Sequence, residues 1–455
     1  MKHLIKILNP VEAVIDAALE ALIRPTLSYK SAIYVPGPHH KRRIETDKSV
    51  LKKIKGGFLF YAGLVDHVVA YCREKNIEVI VDDQSIEDTE MFEPLLPGIT
   101  FREDQTKLLN SWLDKPRGII VSPTGSGKTV LGFGCLSAFE KGTKILWLCH
   151  KKDLMNQACE EAIKFGFTSV GKVGDGFSEL NKDLTIATRQ SFKKLADEYG
   201  HIYDVVVVDE VHHISKSSSA EYQYALSKIL APFRLGLTAT PIREGEAFLS
   251  VTGLIGPIVG ELTINEGNDL GILAKPIIKL LRVPINHDVK NLRKYAEVYS
   301  AGIVCNQVRN QIIATTTKKH IDIGESVLIM INHLDHGNNI LIELEKLGIW
   351  ALFVRGETKS DARNDAKNDL DSKDIHCVIC SGIWSEGVNI KSLNVVITAG
   401  GGKSEINVMQ NIGRGLRKTT TKDTVYIYDF VDLSHHYLTS HFAERLLTYM
   451  DAGWL

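Results

Sequence analysis

The chain has 455 residues, with 54 Lys+Arg against 55 Asp+Glu, 44% hydrophobic residues and 24% charged. Those proportions are ordinary for globular protein and allow about three domains at roughly 100–200 residues each, which excludes wholesale disorder and fibrous classes. Seven cysteines are scattered along the chain and no apolar run reaches the length of a membrane span, which predicts a reducing, cytoplasmic setting with no membrane partner.

The N-terminal part is basic although the whole is not. Residues 1–60 hold eleven Lys/Arg and five Asp/Glu, clustered at Lys41, Arg42, Arg43, Lys48, Lys52, Lys53 and Lys55. The pattern predicts a strand at His3–Leu8, an amphipathic helix opened by Pro10 over Val11–Arg24, and a strand at Ala32–Val35. A turn at Pro36-Gly37-Pro38, a basic helix closed by Gly56-Gly57, a helix near Leu64–Glu74 and a strand Ile77–Val81 complete a small α/β unit. A basic cluster is more often a solvated face than a site; Arg42 and Arg43 are candidates to grip a nucleic-acid backbone without reading bases. The acidic stretch Asp82–Gly98 reads as a linker.

From about Phe101 apolar strands alternate with helical segments: Gly118–Val121, Ile145–Cys149, Leu184–Ala187, Val205–Val208 and Arg234–Leu237. Runs such as Val205–Val208 suit strands buried on both faces of a parallel sheet. A second series covers Ser326–Ile331, Ile349–Val354, His376–Cys380, Val395–Thr398 and Val425–Asp429, and Gly245–Ile277 between them reads as a connector.

Ser122-Pro-Thr-Gly-Ser-Gly-Lys-Thr129 follows one strand and precedes a helix. Backbone N–H groups of Thr124, Gly125, Ser126 and Gly127 can wrap a phosphate chain there, with Lys128 on the outer phosphates and the Thr129 hydroxyl on Mg²⁺. Val205–Val208 ends in Asp209-Glu210-Val211-His212, which places Asp209 to hold Mg²⁺ through water and Glu210 to orient or deprotonate an attacking water. His212 and the adjacent His213 read as a polar link and not as a metal site. Gly400-Gly-Gly-Lys-Ser404 lacks the leading glycine of a second phosphate loop and reads as a plain loop.

With these elements in order, the chain resembles a superfamily 2 helicase or translocase over roughly residues 100–430. Arg102 and Gln105 resemble the upstream motif that reads adenine. Leu237-Thr-Ala-Thr-Pro241 resembles the third motif, in which Thr238 and Thr240, with His212, couple the nucleotide to nucleic acid. Leu148-Cys-His-Lys-Lys152 and Thr188-Arg-Gln-Ser191 resemble segments that grip the phosphodiester backbone, implicating Lys151, Thr188, Arg189 and Gln190. Ser381–Ile390 resembles the fifth motif, with Gly387 and Asn389 at the nucleotide, and Asn389 stands where aspartate is common. Gln410-Asn-Ile-Gly-Arg-Gly-Leu-Arg417 matches the sixth motif. Arginines three residues apart share a helix face, so Arg414 and Arg417 are read as arginine fingers beside Gln410.

Finer similarity points to phage recombination helicases of the UvsW kind. It rests on Asn332-His-Leu-Asp-His-Gly337, Arg309-Asn310, Gly400–Ser404, and Gly63-Leu-Val65 leading to Tyr71-Cys72. The resemblance implies an α/β protein of two tandem RecA-like parallel-sheet lobes behind a small basic α/β accessory domain. The expected divisions are 1–97 accessory, 98–250 first lobe, 251–277 connector and 278–455 second lobe. It implies ATP and Mg²⁺ as cofactors and branched or forked DNA as partner, with recombination or replication proteins beside it. It also implies a monomer, placed in the bacterial host cytoplasm if phage-encoded. Branch migration, fork regression and D-loop or R-loop unwinding are the expected reactions. An RNA helicase, an ATP-gated clamp and a duplex-DNA translocase subunit are the alternatives. His333 and His336 read as nucleic-acid contacts or as polar surface, and Cys377 and Cys380, three apart in a strand, as buried core cysteines.

Overall fold

The computed structural model describes residues 2–35, 42–83, 90–215, 219–358, 360–381, 390–402, 418 and 422–455. It comprises two compact units, one made of Met1–Ser122 and Gly127–Leu262 and the other built around Thr263–Leu455.

The first unit opens with β1 (His3–Ile7), β2 (Glu12–Ile15), helix α1 (Ala17–Ile23), β3 (Ser28–Val35), β4 (Arg42–Ser49), β5 (Lys52–Ile54), β6 (Gly57–Tyr61), helix α2 (Val65–Glu74) and β7 (Val79–Asp83). The sheet order is β5-β6-β2-β1-β7, with β3 and β4 as a separate antiparallel ribbon. Two expectations fail here. Val11–Arg24 is a strand followed by a shorter helix, because Asp16 caps α1 by accepting the Leu19 N–H at 2.7 Å. The expected basic helix is instead the strands β4 and β5, so Arg42 and Arg43 lie on the ribbon. The glycines read as a helix stop make a hairpin turn: Gly56 has φ +90°, and a Cβ on Gly57 would lie 2.2 Å from the Ile15 carbonyl.

This module packs directly on the lobe that follows. A Cβ on Gly63 would lie 2.2 Å from the Thr252 carbonyl oxygen, so only glycine lets the turn Ala62–Leu64 ahead of α2 approach the helix Gly245–Leu254. Arg117 donates to the Pro10 carbonyl at 2.7 Å and the Tyr29 hydroxyl to Glu246 at 3.2 Å, while Lys115 pairs with Asp66.

The lobe itself runs α3 (Glu103–Leu113), β8 (Arg117–Val121), α4 (Lys128–Leu136), β9 (Ile145–Cys149), α5 (Lys152–Lys164), β10 (Val170–Gly174), β11 (Phe177–Ser178), β12 (Leu184–Thr188), α6 (Arg189–Lys193), β13 (Val205–Asp209), β14 (Phe233–Thr238) and β15 (Ile258–Glu261). The order is β11-β10-β12-β9-β13-β14-β8-β15, parallel throughout except for β10–β11. The four valines of β13 alternate between two cores, Val205 and Val207 in one and Val206 and Val208 in the other. Helix α4 lies close on the sheet because Gly132 faces Trp147, whose ring a Cβ would meet at 2.6 Å.

The segment expected as a connector is structured. It holds a helix at Gly245–Leu254, the edge strand β15, a helix at Ile264–Asp269 and the start of β16 (Lys275–Arg282). Its Gly and Pro content reads as loop, yet Pro276 sits in β16 at the edge of a sheet, the place a strand tolerates proline.

The second unit continues with β17 (Ser326–Met330), β18 (Leu352–Val354), β19 (Cys377–Cys380), β20 (Leu393–Ile397) and β21 (Thr424–Val431) in an all-parallel sheet of order β16-β21-β20-β17-β19-β18. Cys377 and Cys380 are both fully buried, in cores on opposite faces of the sheet. Among the described residues no His/Cys/Asp/Glu group could hold a metal, and no helix is long and apolar enough to cross a membrane.

Ion pairs lie inside this unit. Asp429 at the end of β21 accepts Arg445 Nε at 2.8 Å and Nη2 at 3.0 Å, plus the Tyr449 hydroxyl at 2.9 Å. Removing one partner leaves an uncompensated buried charge, so Asp429→Ala is expected to cost about 3–5 kcal/mol in urea unfolding of this unit. The paired replacement Asp429→Leu/Arg445→Met should cost much less than that, and an equal loss in the two would show that the charge balance is not what matters.

Candidate nucleotide site and nucleic-acid interface

The phosphate loop joins the end of β8 to the start of α4. Its shape depends on Gly125 and Gly127, which have φ of +90° and +100°. The loop is pinned locally: Ser122 N–H donates to the Thr238 carbonyl at 2.9 Å, and the Ser126 hydroxyl to the Pro123 carbonyl at 2.7 Å. Gln105 is buried and accepts the Arg102 N–H at 3.2 Å, while Arg102 makes a two-pronged pair with Asp104 at 2.9 Å. A Cβ on Gly127 would lie 2.8 Å from Gln105 Nε2, so the expected adenine-reading residue and the phosphate loop lie side by side.

Lys128 opens α4 and its Nζ lies 3.7 Å from Glu210 Oε1, both side chains largely shielded. Asp209 ends β13, and Glu210 follows with φ +51°, a left-handed conformation that is uncommon outside glycine and marks a constrained turn. Burial and the neighbouring Glu210 charge push the Asp209 carboxyl up to about 7, against the pull of Lys128. Glu210 moves the other way: burial would raise it, but Lys128 and His212 hold it below the usual carboxylate range. Two adjacent carboxylates therefore have divergent proton affinities, as an acid–base site needs. Lys128 offsets only part of the rise at Asp209, and Asp209 and Thr129 are the residues that would hold a divalent cation beside the phosphates.

His212 is fully buried, with Nδ1 3.1 Å from Thr238 Oγ1 and 3.4 Å from Glu210 Oε2. The Thr238 hydroxyl donates to the Thr240 carbonyl at 3.2 Å and accepts the Thr240 N–H at 3.1 Å. The three residues expected to couple the site thus form one connected set. His150 was not singled out from sequence. It stacks on His213 with ring centroids 3.9 Å apart, and nothing in the spacing of two residues 63 apart (213 minus 150) signals it.

The residues expected at nucleic acid are more dispersed. Lys151 precedes α5, and Thr188 precedes α6, where its hydroxyl accepts the Ser191 N–H at 3.4 Å. Arg189 lies 3.5 Å from Glu221 and over the Tyr222 ring, whereas Gln190 is exposed. His333 is exposed ahead of the helix Leu334–Lys346, against the Tyr299 ring at 5.0 Å. His336 corrects the expectation of a nucleic-acid contact or polar surface: it is fully buried, with Nε2 3.0 Å from Asn310 Oδ1, and burial lowers its pKa to about 3. Gly387, Asn389, Gln410, Arg414 and Arg417 lie outside the described residues.

Sequence motifs also missed a cradle in the second unit. The carbonyl of Ala399 accepts Arg309 Nη1 at 2.8 Å, that of Gly400 accepts Asn332 Nδ2 at 3.1 Å and the Tyr299 hydroxyl, and that of Gly402 accepts Arg445 Nη1 at 2.8 Å. The carbonyls of Ala399, Gly400 and Gly402, where the loop begins, are thus held by side chains from elsewhere in the unit.

The Asp209 shift has a consequence for stability. The folded carboxyl holds its proton up to about 7, whereas an unfolded aspartate loses it near its ordinary value of about 3.9. Between these values the folded state binds more protons, so stability falls as pH rises through that window. Asp209→Asn removes the penalty and is expected to raise the melting temperature by several degrees at pH 8 and by little at pH 4, read by scanning calorimetry without nucleotide or metal.

Comparison with known proteins places these features in a family. The chain matches the family model of the type III restriction enzyme res subunit over residues 98–243 and that of the helicase conserved C-terminal domain over 305–419. It is 28% identical over 382 residues to the DNA 3'-5' translocase XPB2 of Sulfurisphaera tokodaii, covering 76% of this chain and 85% of that one. It is 25% identical over 433 residues to the ATP-dependent DNA helicase uvsW of Enterobacteria phage T4, covering 86% and 85%. The solved structure of Dbp5 from S. cerevisiae bound to RNA and ADP BeF3 superposes with a TM-score of 0.57 at 15% identity, over 78% of this chain and 88% of that one, a likeness of fold. With phosphate loop, Asp-Glu-Val-His box and third motif assembled on one sheet edge and both helicase domains matched in order, the chain belongs to the superfamily 2 helicases.

Proposed function

We propose that the protein is an ATP-driven DNA motor that remodels branched DNA by branch migration, fork regression or displacement of a paired strand. The carrying observation is the set Lys128, Glu210, His212 and Thr238, which joins the phosphate loop to the third motif within hydrogen-bonding or ion-pairing reach. In this reading Lys128 binds the outer phosphates and Asp209 and Thr129 hold Mg²⁺. Glu210, kept ionised, takes a proton from the attacking water. Arg414 and Arg417 carry the finger role, and Gln410 positions the water or phosphate beside them. Arg102 and Gln105 read the base, and Gly387 and Asn389 complete the nucleotide contacts.

DNA as the substrate is supported by the DNA-acting relatives, and branching by the similarity to the phage uvsW helicase. Lys151, Thr188 and Gln190 provide backbone contacts from the first lobe and Arg42 and Arg43 from the ribbon of the N-terminal module. The second reading, a duplex-DNA translocase, is favoured by the match to the res subunit family and to a 3'-5' translocase.

The test is ATP-dependent strand separation on a four-way DNA junction, a DNA fork and an RNA duplex. Wild type should resolve the junction, and Lys128→Ala should lose turnover by about 10²-fold or more, the scale for removing one charge-stabilising donor. Arg414→Ala should lose about 10³–10⁵-fold. Opening of the RNA duplex alone rejects DNA. Triplex displacement without strand separation selects the translocase. Arg42→Ala/Arg43→Ala should weaken DNA binding uniformly across sequences and reduce the log–log salt slope by about 0.9 per lost phosphate contact.

A further inference from the structure

Three imidazoles form a continuous ladder in the first lobe. His212 and His213 have ring centroids 4.4 Å apart, and His213 stacks on His150 at 3.9 Å with an interplanar angle of 23°. One end of the ladder touches the hydrolytic carboxylate, His212 Nδ1 being 3.4 Å from Glu210 Oε2. The other end is the residue before Lys151, at the turn from β9 into α5. Both histidines of the Asp-Glu-Val-His-His segment are buried, His212 fully and His213 to 6% exposure, so the rings have little freedom to swing away. Strands β13 and β9 are neighbours, with Val208 opposite Leu148, and this register brings the two segments together.

We propose that His150 and His213 are positioning residues that transmit the state of Glu210 to the β9–α5 turn, so that nucleic acid held at Lys151 accelerates ATP hydrolysis and ATP alters the grip. This deepens the function proposed above and rests on it, specifically on Lys151 as a DNA contact and Glu210 as the base. The physical argument is one of close packing. Stacked rings in a packed interior cannot shift singly, so a displacement of His212 with Glu210 must move His213 and then His150. The third-motif route through Thr238 runs to β14, on the far side of β13 from β9, so the ladder is a separate path.

The experiment uses the full chain and a synthetic four-way DNA junction. ATP turnover is measured with and without the junction, and junction affinity with and without a non-hydrolysable ATP analogue. The proteins are wild type, His150→Ala, His213→Ala, their combination, His150→Phe and His150→Leu. Wild-type turnover should rise on DNA. In His150→Ala the DNA-free turnover should remain at the wild-type level while the DNA stimulation falls about 5-fold or more, an ordinary coupling strength between sites. The analogue's effect on junction affinity should shrink too, and by reciprocity of binding the junction's effect on analogue affinity should shrink by that same factor. The combined variant should be no worse than either single one, as expected of residues on one path. His150→Phe, which keeps a flat ring, should restore most of the stimulation and His150→Leu should not.

Full stimulation in both alanine variants, or losses that add in the combination, overturns the ladder. Should the alanine variants melt early, equal stimulation in His150→Phe and His150→Leu overturns it instead. A wild type that hydrolyses ATP and binds the junction without any stimulation also overturns it. A wild type that neither binds DNA nor hydrolyses ATP overturns the underlying functional reading, and the ladder falls with it.

Discussion

A lysine and two adjacent carboxylates held together at the buried end of a parallel strand set the terms for the rest of the first lobe. Like charges side by side in a poorly solvated place cannot both ionise freely, so one proton affinity rises and the other falls. Lys128 and His212 settle which: they lie against Glu210, and Asp209 is left with the unmet demand for positive charge. That asymmetry suits one carboxylate to a metal and the other to a proton. It also needs geometry that cannot relax, which the left-handed turn at Glu210 and the four buried valines of β13 provide.

The order of strands then converts one site into a line of sites. Along the carboxyl edge the neighbours β12, β9, β13, β14 and β8 end in Thr188, Cys149 just ahead of His150 and Lys151, Asp209, Thr238 and Val121 at the phosphate loop. Residues scattered over more than a hundred positions of sequence become neighbours at strand spacing of about 4.8 Å. Candidate nucleotide contacts lie at one end of this line and candidate backbone contacts at the other, and the side chains over β13 and β9 lie between them. Those side chains are histidines, which are flat enough to stack and polar enough to touch a carboxylate.

Legibility from sequence followed the same physics. Long apolar β-branched runs reported the central strands, because burial on both faces leaves no other composition open to them. The phosphate loop and the Asp-Glu-Val-His box were readable because their chemistry needs contiguous residues. Edge elements were not: β16 and β15 mix glycine, proline and charge, and the strands β4 and β5 carry lysine and arginine that pass for an exposed helix. Gly56 and Gly57 marked a real boundary, but glycine ends a helix and turns a hairpin by the same freedom in φ. At the site, long-range contacts were the blind spot. His336 belonged to a motif-like segment and yet faces Asn310 in the core, and His150 meets His213 only because two strands are neighbours.

In the second unit a glycine loop serves as a point of anchorage. Arg309, Asn332, Tyr299 and Arg445 come from four separate segments, and all donate to carbonyls between Ala399 and Gly402. A Cβ on Gly400 would lie 2.7 Å from Asn332 Nδ2, so the donors reach the backbone only because no side chain intervenes. Arg309 and Arg445 are themselves fixed by Asp432 and Asp429, so the loop is tied to the end of β21 through two buried ion pairs. Fixing the backbone of Ala399–Gly402 gives the buried charges of the unit a role that their modest net contribution to stability would not by itself explain.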